Sequence, residues 1–172
     1  MYRLVRPFED LCLLRLAPQD LPASRLLLVL TLVAHTLTGI LASLQVLPAG
    51  TAMLAGITGT LMLAGMVVLL LNIQRQTARI TQTLTALAGA MALLDLVALP
   101  LSAWWDNSHT DESISNPLPA FLLLALLGWN LGVIGHVLRH ALGVAWFMGI
   151  AIAVAFYLVF MDVMKNLFPF PA

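Results

Sequence analysis

The stretch from Leu26 to Gln74, LLLVLTLVAHTLTGILASLQVLPAGTAMLAGITGTLMLAGMVVLLLNIQ, contains no Asp, Glu, Lys or Arg. A helical membrane crossing needs about 20 apolar residues, at about 1.5 Å of rise each across about 30 Å of hydrocarbon. The stretch is far too long for one crossing. Pro48-Ala49-Gly50 divides it, because proline ends a helix and glycine permits a turn. The reading is two spans, residues 25–47 and residues 51–73.

The same reasoning extends toward both termini. A third span is expected at residues 82–103, ending at Trp104-Trp105, since tryptophan prefers the headgroup level. The polar, acidic stretch Asp106–Asn116 then forms a loop, and Pro117 and Pro119 open a fourth span at residues 118–138. Only Arg139-His140 separates it from a fifth at residues 143–164, with Gly143 able to turn the chain in a tight hairpin around Leu138–Gly143. Phe168-Pro169-Phe170-Pro171 cannot continue a helix, so residues 165–172 are expected as a short exoplasmic tail.

Composition agrees. The chain is 61% hydrophobic and 9% charged, whereas soluble domains run near 45–50% apolar and about 25% charged. Its solvent is lipid, and the expected fold is an all-α polytopic bundle of five transmembrane helices. The formal net charge is zero, which points away from nucleic acid as a partner. The expected partners are the bilayer itself, another membrane protein or a second copy in a homo-oligomer. The single cysteine, Cys12, excludes an internal disulfide.

Orientation follows from the basic residues. Arg3, Arg6, Arg15, Arg25, Arg75, Arg79 and Arg139 fall on one side of the five spans, and Lys165 alone on the other. Lys/Arg asymmetry in short loops sets topology, which predicts the N-terminus in the cytoplasm and the C-terminus outside. The expected location is the bacterial inner membrane. The N-terminus lacks the layout of a cleavable signal peptide, so the first span reads as a retained signal-anchor. Within residues 1–24, Arg3, Arg6, Glu9 and Asp10 share one side of a helical wheel. Leu4, Val5, Phe8, Leu11, Cys12 and Leu16 share the other, and Leu14 and Arg15 fit poorly. This segregation fits a helix lying in the membrane interface, or equally one packed on a partner or on the cytoplasmic loops. Pro18 and Pro22 stop it before the bundle.

Ionisable groups within the spans are few, and each costs roughly 2.5–3.5 kcal/mol to insert at mid-membrane. They are His35 in the first span, Asp95 in the third and His136 in the fourth, with Asn130 as an uncharged helper. By helical rise, His35 and Asn130 lie roughly 15 Å from the arginines, Asp95 about a turn further and His136 only about 5 Å from them. These residues form an expected polar node. Its functional use is proton passage or binding of a polar ligand; its structural use is hydrogen-bonded attachment of helices. Pro100, five residues after Asp95, is expected to loosen the third span.

His136 and His140 share a helix face, but a zinc site takes three or four ligands and neither Cys nor an acid is near in sequence. A haem held by His35 and His136 is disfavoured by their difference in depth. No metal or cofactor is expected. Gly-x-Ser-x-Gly, His-Glu-x-x-His and phosphate-loop motifs are missing from the chain, so no enzymatic activity is expected.

Small residues recur at helix-packing spacing: Ala55 with Gly59, Ala86 with Ala90, Gly128 with Gly132 and then Gly135, and Gly149 with Ala153. Such ridges let helix backbones approach closely. The face carrying Gly128, Gly132 and Gly135 is expected to point inward.

The layout resembles the Yip1-type family of small membrane proteins, which have a cytoplasmic N-terminal segment, five closely spaced spans and a short exoplasmic tail. The resemblance covers the whole chain in outline. Pro18-Gln19-Asp20-Leu21-Pro22 before the first span and Trp129-Asn130-Leu131 through His136 in the fourth carry its local texture. The eukaryotic branch has an Asp-Leu-Tyr-Gly-type motif, whereas here Asp20-Leu21 is followed by Pro22. The resemblance implies a non-enzymatic scaffold or accessory subunit. The alternative carried by the residues is a small transporter, or a proton or ion channel component, using His35, Asp95 and Asn130.

Overall fold

The computed structural model describes residues 2–110 and 116–169. Asp111, Glu112 and the Phe170-Pro171 end of the tail lie outside the described residues. The chain runs as α1 (Tyr2–Cys12), α2 (Arg25–Ser43), α3 (Ala49–Ile73), α4 (Ile80–Thr110), α5 (Leu118–Leu142) and α6 (Trp146–Leu167), with short 3₁₀ turns at Pro18–Asp20 and Thr77–Arg79. Among the described residues, five helices, α2 to α6, are long and apolar enough to cross a membrane. The protein is an all-helical, multi-pass bundle.

The helix ends depart from the expected bounds for local reasons. α2 stops at Ser43 rather than Leu47, because Pro48 disfavours helical backbone just before it; Val46 and Leu47 both donate to Ser43 O instead. Pro48 is the N-cap of α3, so Gly50 lies inside a helix and makes no turn. α4 runs seven residues past the expected Ala103, since Trp104–Thr110 contains neither proline nor glycine to end it. It also passes through Pro100 as one continuous helix. There Gln45 Nε2 donates to Leu99 O at 3.2 Å, and Ser102 Oγ donates to Gln45 Oε1 at 2.7 Å. α5 continues to Leu142, and Gly143 caps it with φ of 69°, a left-handed conformation that glycine adopts without a Cβ penalty. The α5–α6 turn is therefore residues 143–145, and the start of α6 moves to Trp146.

Successive spanning helices run in opposite directions. The starts of α2 and α4 and the ends of α3 and α5 gather Arg25, Arg75, Arg79 and Arg139 at one end of the bundle. Arg79 Nη1 donates there to Ala141 O at 3.1 Å. Close crossings hold the helices together. A Cβ on Gly149 would lie 2.4 Å from Gly135 O, and one on Gly56 would lie 2.8 Å from Ile40 N. Thr36 and Thr60 share a hydrogen bond of 2.8 Å beside the second crossing.

Gly135 thus packs as expected, but Gly128 and Gly132 do not: a Cβ on either would meet nothing within 4 Å. The reason is axial. Gly135 meets α6 at Ile150, whereas Gly128 shares its azimuth but lies about 10 Å further along α5, where it is exposed.

α1 is amphipathic, with Phe8 and Leu11 buried while Arg6 and Glu9 are exposed. It ends at Cys12, earlier than the expected Leu16. Leu14 takes a left-handed φ of 59°, with Leu14 N–H bonded to Leu11 O and Arg15 N–H to Asp10 O. This is the hydrogen-bond pattern of a Schellman end, and it explains why Leu14 and Arg15 misfit the wheel. The apolar face of α1 packs on α4 and α5. The Phe8 ring lies over Gly89, so close that a Cβ there would sit 2.3 Å from it. Trp129 Nε1 donates to Cys12 O at 2.9 Å, and Cys12 Sγ lies 3.7 Å from Ala90 O. Ala90 and Trp129 are each roughly 15 Å from the arginine end by helical rise. α1 therefore docks about half-way along the bundle's flank. Below it the chain follows the α4–α5 seam, where Gln82 Nε2 donates to Leu21 O at 2.7 Å.

Candidate functional site

The buried polar residues of α2 lie on one stripe: Thr31, His35 and Thr38, at the three- and four-residue spacing that places side chains on one helix face. That face meets α4, which brings His35 and Thr38 to Asp95. Thr38 Oγ1 donates to Asp95 Oδ2 at 3.1 Å. His35 Nδ1 stands 3.5 Å from the same oxygen. That separation is close enough for an ion pair, yet Nδ1 is buried without a hydrogen-bond partner among the described residues. The His35 side chain is 10% exposed and that of Asp95 27%.

The pair forms part of the wall of a cavity of about 450 Å³ lying between α2, α3, α4, α5 and α6 and open at one end. Asn130 of α5 and the Phe156, Tyr157 and Phe160 side chains of α6 line it as well. An engineered apolar cavity of about 150 Å³ holds one benzene, and small-molecule sites run about 300–1,000 Å³. The space is therefore large enough for a small organic molecule. Its lining reaches Ser43, Val46 and Met164, at the end of the bundle away from the arginines.

The structure thus brings His35, Asp95 and Asn130 to one cavity and places His136 elsewhere. His136 Nε2 is 3.1 Å from Leu16 O, so the imidazole, as donor, ties α5 to the segment after α1. His140 stacks edge-on against it, with ring centroids 4.7 Å apart, and accepts a hydrogen bond from Arg139 Nε at 3.1 Å. Among the described residues no group of three or more His, Cys, Asp and Glu side chains is placed to hold a metal ion.

Sequence reasoning missed two contributors. Thr38, which holds Asp95, was signalled by its position one turn after His35. The aromatic wall of α6 carried no such signal, because aromatic residues on an apolar helix are indistinguishable from ordinary packing until the neighbouring space is known.

Compared with known proteins, the chain matches no family model, no curated protein and no solved structure.

Proposed function

We propose that the protein is a non-enzymatic membrane component that binds a small solute in the cavity between α2 and α6 and takes part in its passage. His35 and Asp95 supply the polar contacts and Asn130 a further one. One observation carries this reading: the Asp95 carboxylate, hydrogen-bonded by Thr38 at Oδ2 alone, lines a cavity of about 450 Å³. Polar groups that only join helices are satisfied across the contact, as Thr36 and Thr60 are. A carboxylate with Oδ1 left open at a cavity wall is placed for an occupant.

The test is Asp95→Asn. The amide keeps an acceptor for Thr38 and removes the carboxylate, so thermal stability in detergent should hold while solute flux into proteoliposomes is lost. A variant with unaltered flux would contradict the reading.

In the same proposal the arginine end faces the cytoplasm, as the positive-inside rule expects, in a bacterial inner membrane. The charged face of α1 then meets headgroups or water drawn into a locally thinned leaflet, with Arg6 and Glu9 extended toward them. A second reading, a scaffold or accessory subunit of the Yip1 type, is favoured by Gly128 and Gly132. They are a small-residue pair with nothing packed on it, open to a helix from another protein or a second copy. Crosslinking through cysteines at these two positions separates the readings.

A further inference from the structure

The chemistry of the cavity wall narrows the occupant. Among the described residues lining it, Asp95 is the one carboxylate, and neither Lys nor Arg is present. The arginines lie at the far end of the bundle; Arg25 is roughly 15 Å from His35 by helical rise. Asp95 takes one hydrogen bond, from Thr38 to Oδ2, so Oδ1 has acceptor capacity to spare. Across the cavity α6 presents Phe156, Tyr157 and Phe160, the two phenylalanine rings 6.2 Å apart between centroids. Aromatic faces attract cations, more strongly where water is excluded. Apart from His35, Asn130 and, at the open end, Ser43, the rest of the lining is aliphatic, methionine, glycine or alanine.

A carboxylate, an aromatic wall and an aliphatic remainder select one class of ligand. We infer that the cavity takes a lipophilic ammonium ion, its charged head between Asp95 and the α6 rings and its apolar body toward Ser43 and Val46. This rests on the solute-binding reading above. An anionic head would face Asp95 without a counter-charge. An inorganic divalent cation would need about six oxygen ligands, and the wall does not supply them. A volume of about 450 Å³ limits the body to one or two rings or a short chain, on the scale of one benzene per about 150 Å³.

Three probes with one body and different heads test this: 4-phenylbutylamine, 4-phenylbutanol and 4-phenylbutyrate, each titrated onto the protein in lipid nanodiscs, with empty discs subtracted. The amine should bind about tenfold tighter than the alcohol, a charge-assisted contact against a neutral one, and the butyrate weakest. Asp95→Asn should bring amine and alcohol within about twofold of each other, and Ala98→Leu, which fills the cavity, should weaken all three. Equal binding of the three heads to the folded protein overturns the ammonium assignment and leaves the solute site standing. Binding of none of them overturns both. An amine preference that survives Ala98→Leu unchanged places the contact outside the cavity and also overturns the assignment.

Discussion

The two halves of the bundle are built in opposite ways. Toward the arginine end, every residue of α4 from Thr83 to Ala90 is buried, as is α5 from Val133 to Leu138, beneath α1 and the chain that follows it. Toward the other end, the same two helices carry exposed residues, Leu96 and Val97 on α4 and Phe121 and Leu124 on α5, and between them lies the cavity. The closed half places its polar groups in contacts within the protein: His136 on Leu16 O, Arg79 on Ala141 O, Gln82 on Leu21 O. Each half also leaves one buried polar atom without a partner among the described residues, Thr83 Oγ1 in the closed half and His35 Nδ1 in the open one, but only in the open half does a carboxylate, that of Asp95, line a cavity. Close packing gives the bundle its rigidity; the unfilled space gives it room for chemistry. A side chain added to one half should therefore not do what it does in the other.

The largest effect should come from Gly149→Ala. Its Cβ would meet the Gly135 carbonyl at 2.4 Å, a backbone atom that cannot step aside, so α5 and α6 must separate. Overpacking of this kind costs about 1–3 kcal/mol, occasionally more, and thermal unfolding in detergent should show a clear fall in midpoint. Ala98→Leu adds more volume but does so at the cavity wall. Its midpoint should stay near wild type, and an equal fall in both variants would erase the distinction between the halves.

Phe8→Ala should come next. It removes the ring seated on Gly89 and frees α1 from the flank, at a cost of about 3 kcal/mol if the site does not collapse. Cys12 reports the event. Burial, and then the nearby Glu9 carboxylate, push its thiol up to about 11, so the reactive thiolate is scarce at neutral pH and alkylation by maleimide should be slow. Undocking restores an ordinary thiol, and the rate should rise at least about tenfold. An unchanged rate would mean that Trp129 and Ala90 hold the segment without Phe8.

The smallest effect is expected at Leu14→Gly, which relieves the left-handed backbone at φ of 59°. A gain of about 1 kcal/mol follows if the strain is local, read as a small rise in the same unfolding midpoint.

Much of this contrast was legible in the sequence, but unevenly. Length and proline punctuation were enough for five spans, because lipid imposes a minimum length on each helix. Counting residues from the arginines brought His35, Asp95 and Asn130 to similar depth, because helical rise is nearly constant. Spacing shows that Gly128, Gly132 and Gly135 share a face but not how far along it a neighbouring helix stays close, and that is why all three were assigned to packing that Gly135 alone makes. Azimuth also hid the crossings at Gly56 and Gly149, whose partners lie on other helices. The docking of α1 half-way along the flank depended on a pocket over Gly89 that forms only when α4 and α5 meet. A cavity is the limiting case, since no residue encodes an empty volume.

The central claim is that the half of the bundle containing Asp95 is open to a solute and the other half is not. In a Cys12→Ser background, Ala98→Cys on the cavity wall and Ala88→Cys in the closed half should be compared for reaction with a small, membrane-permeant thiosulfonate, with and without 4-phenylbutylamine. The account predicts that Ala98→Cys reacts at least about tenfold faster, as buried thiols in apolar surroundings are inert, and that the amine protects it. Equal rates at the two positions, or a fast Ala98→Cys reaction that no solute slows, would contradict it.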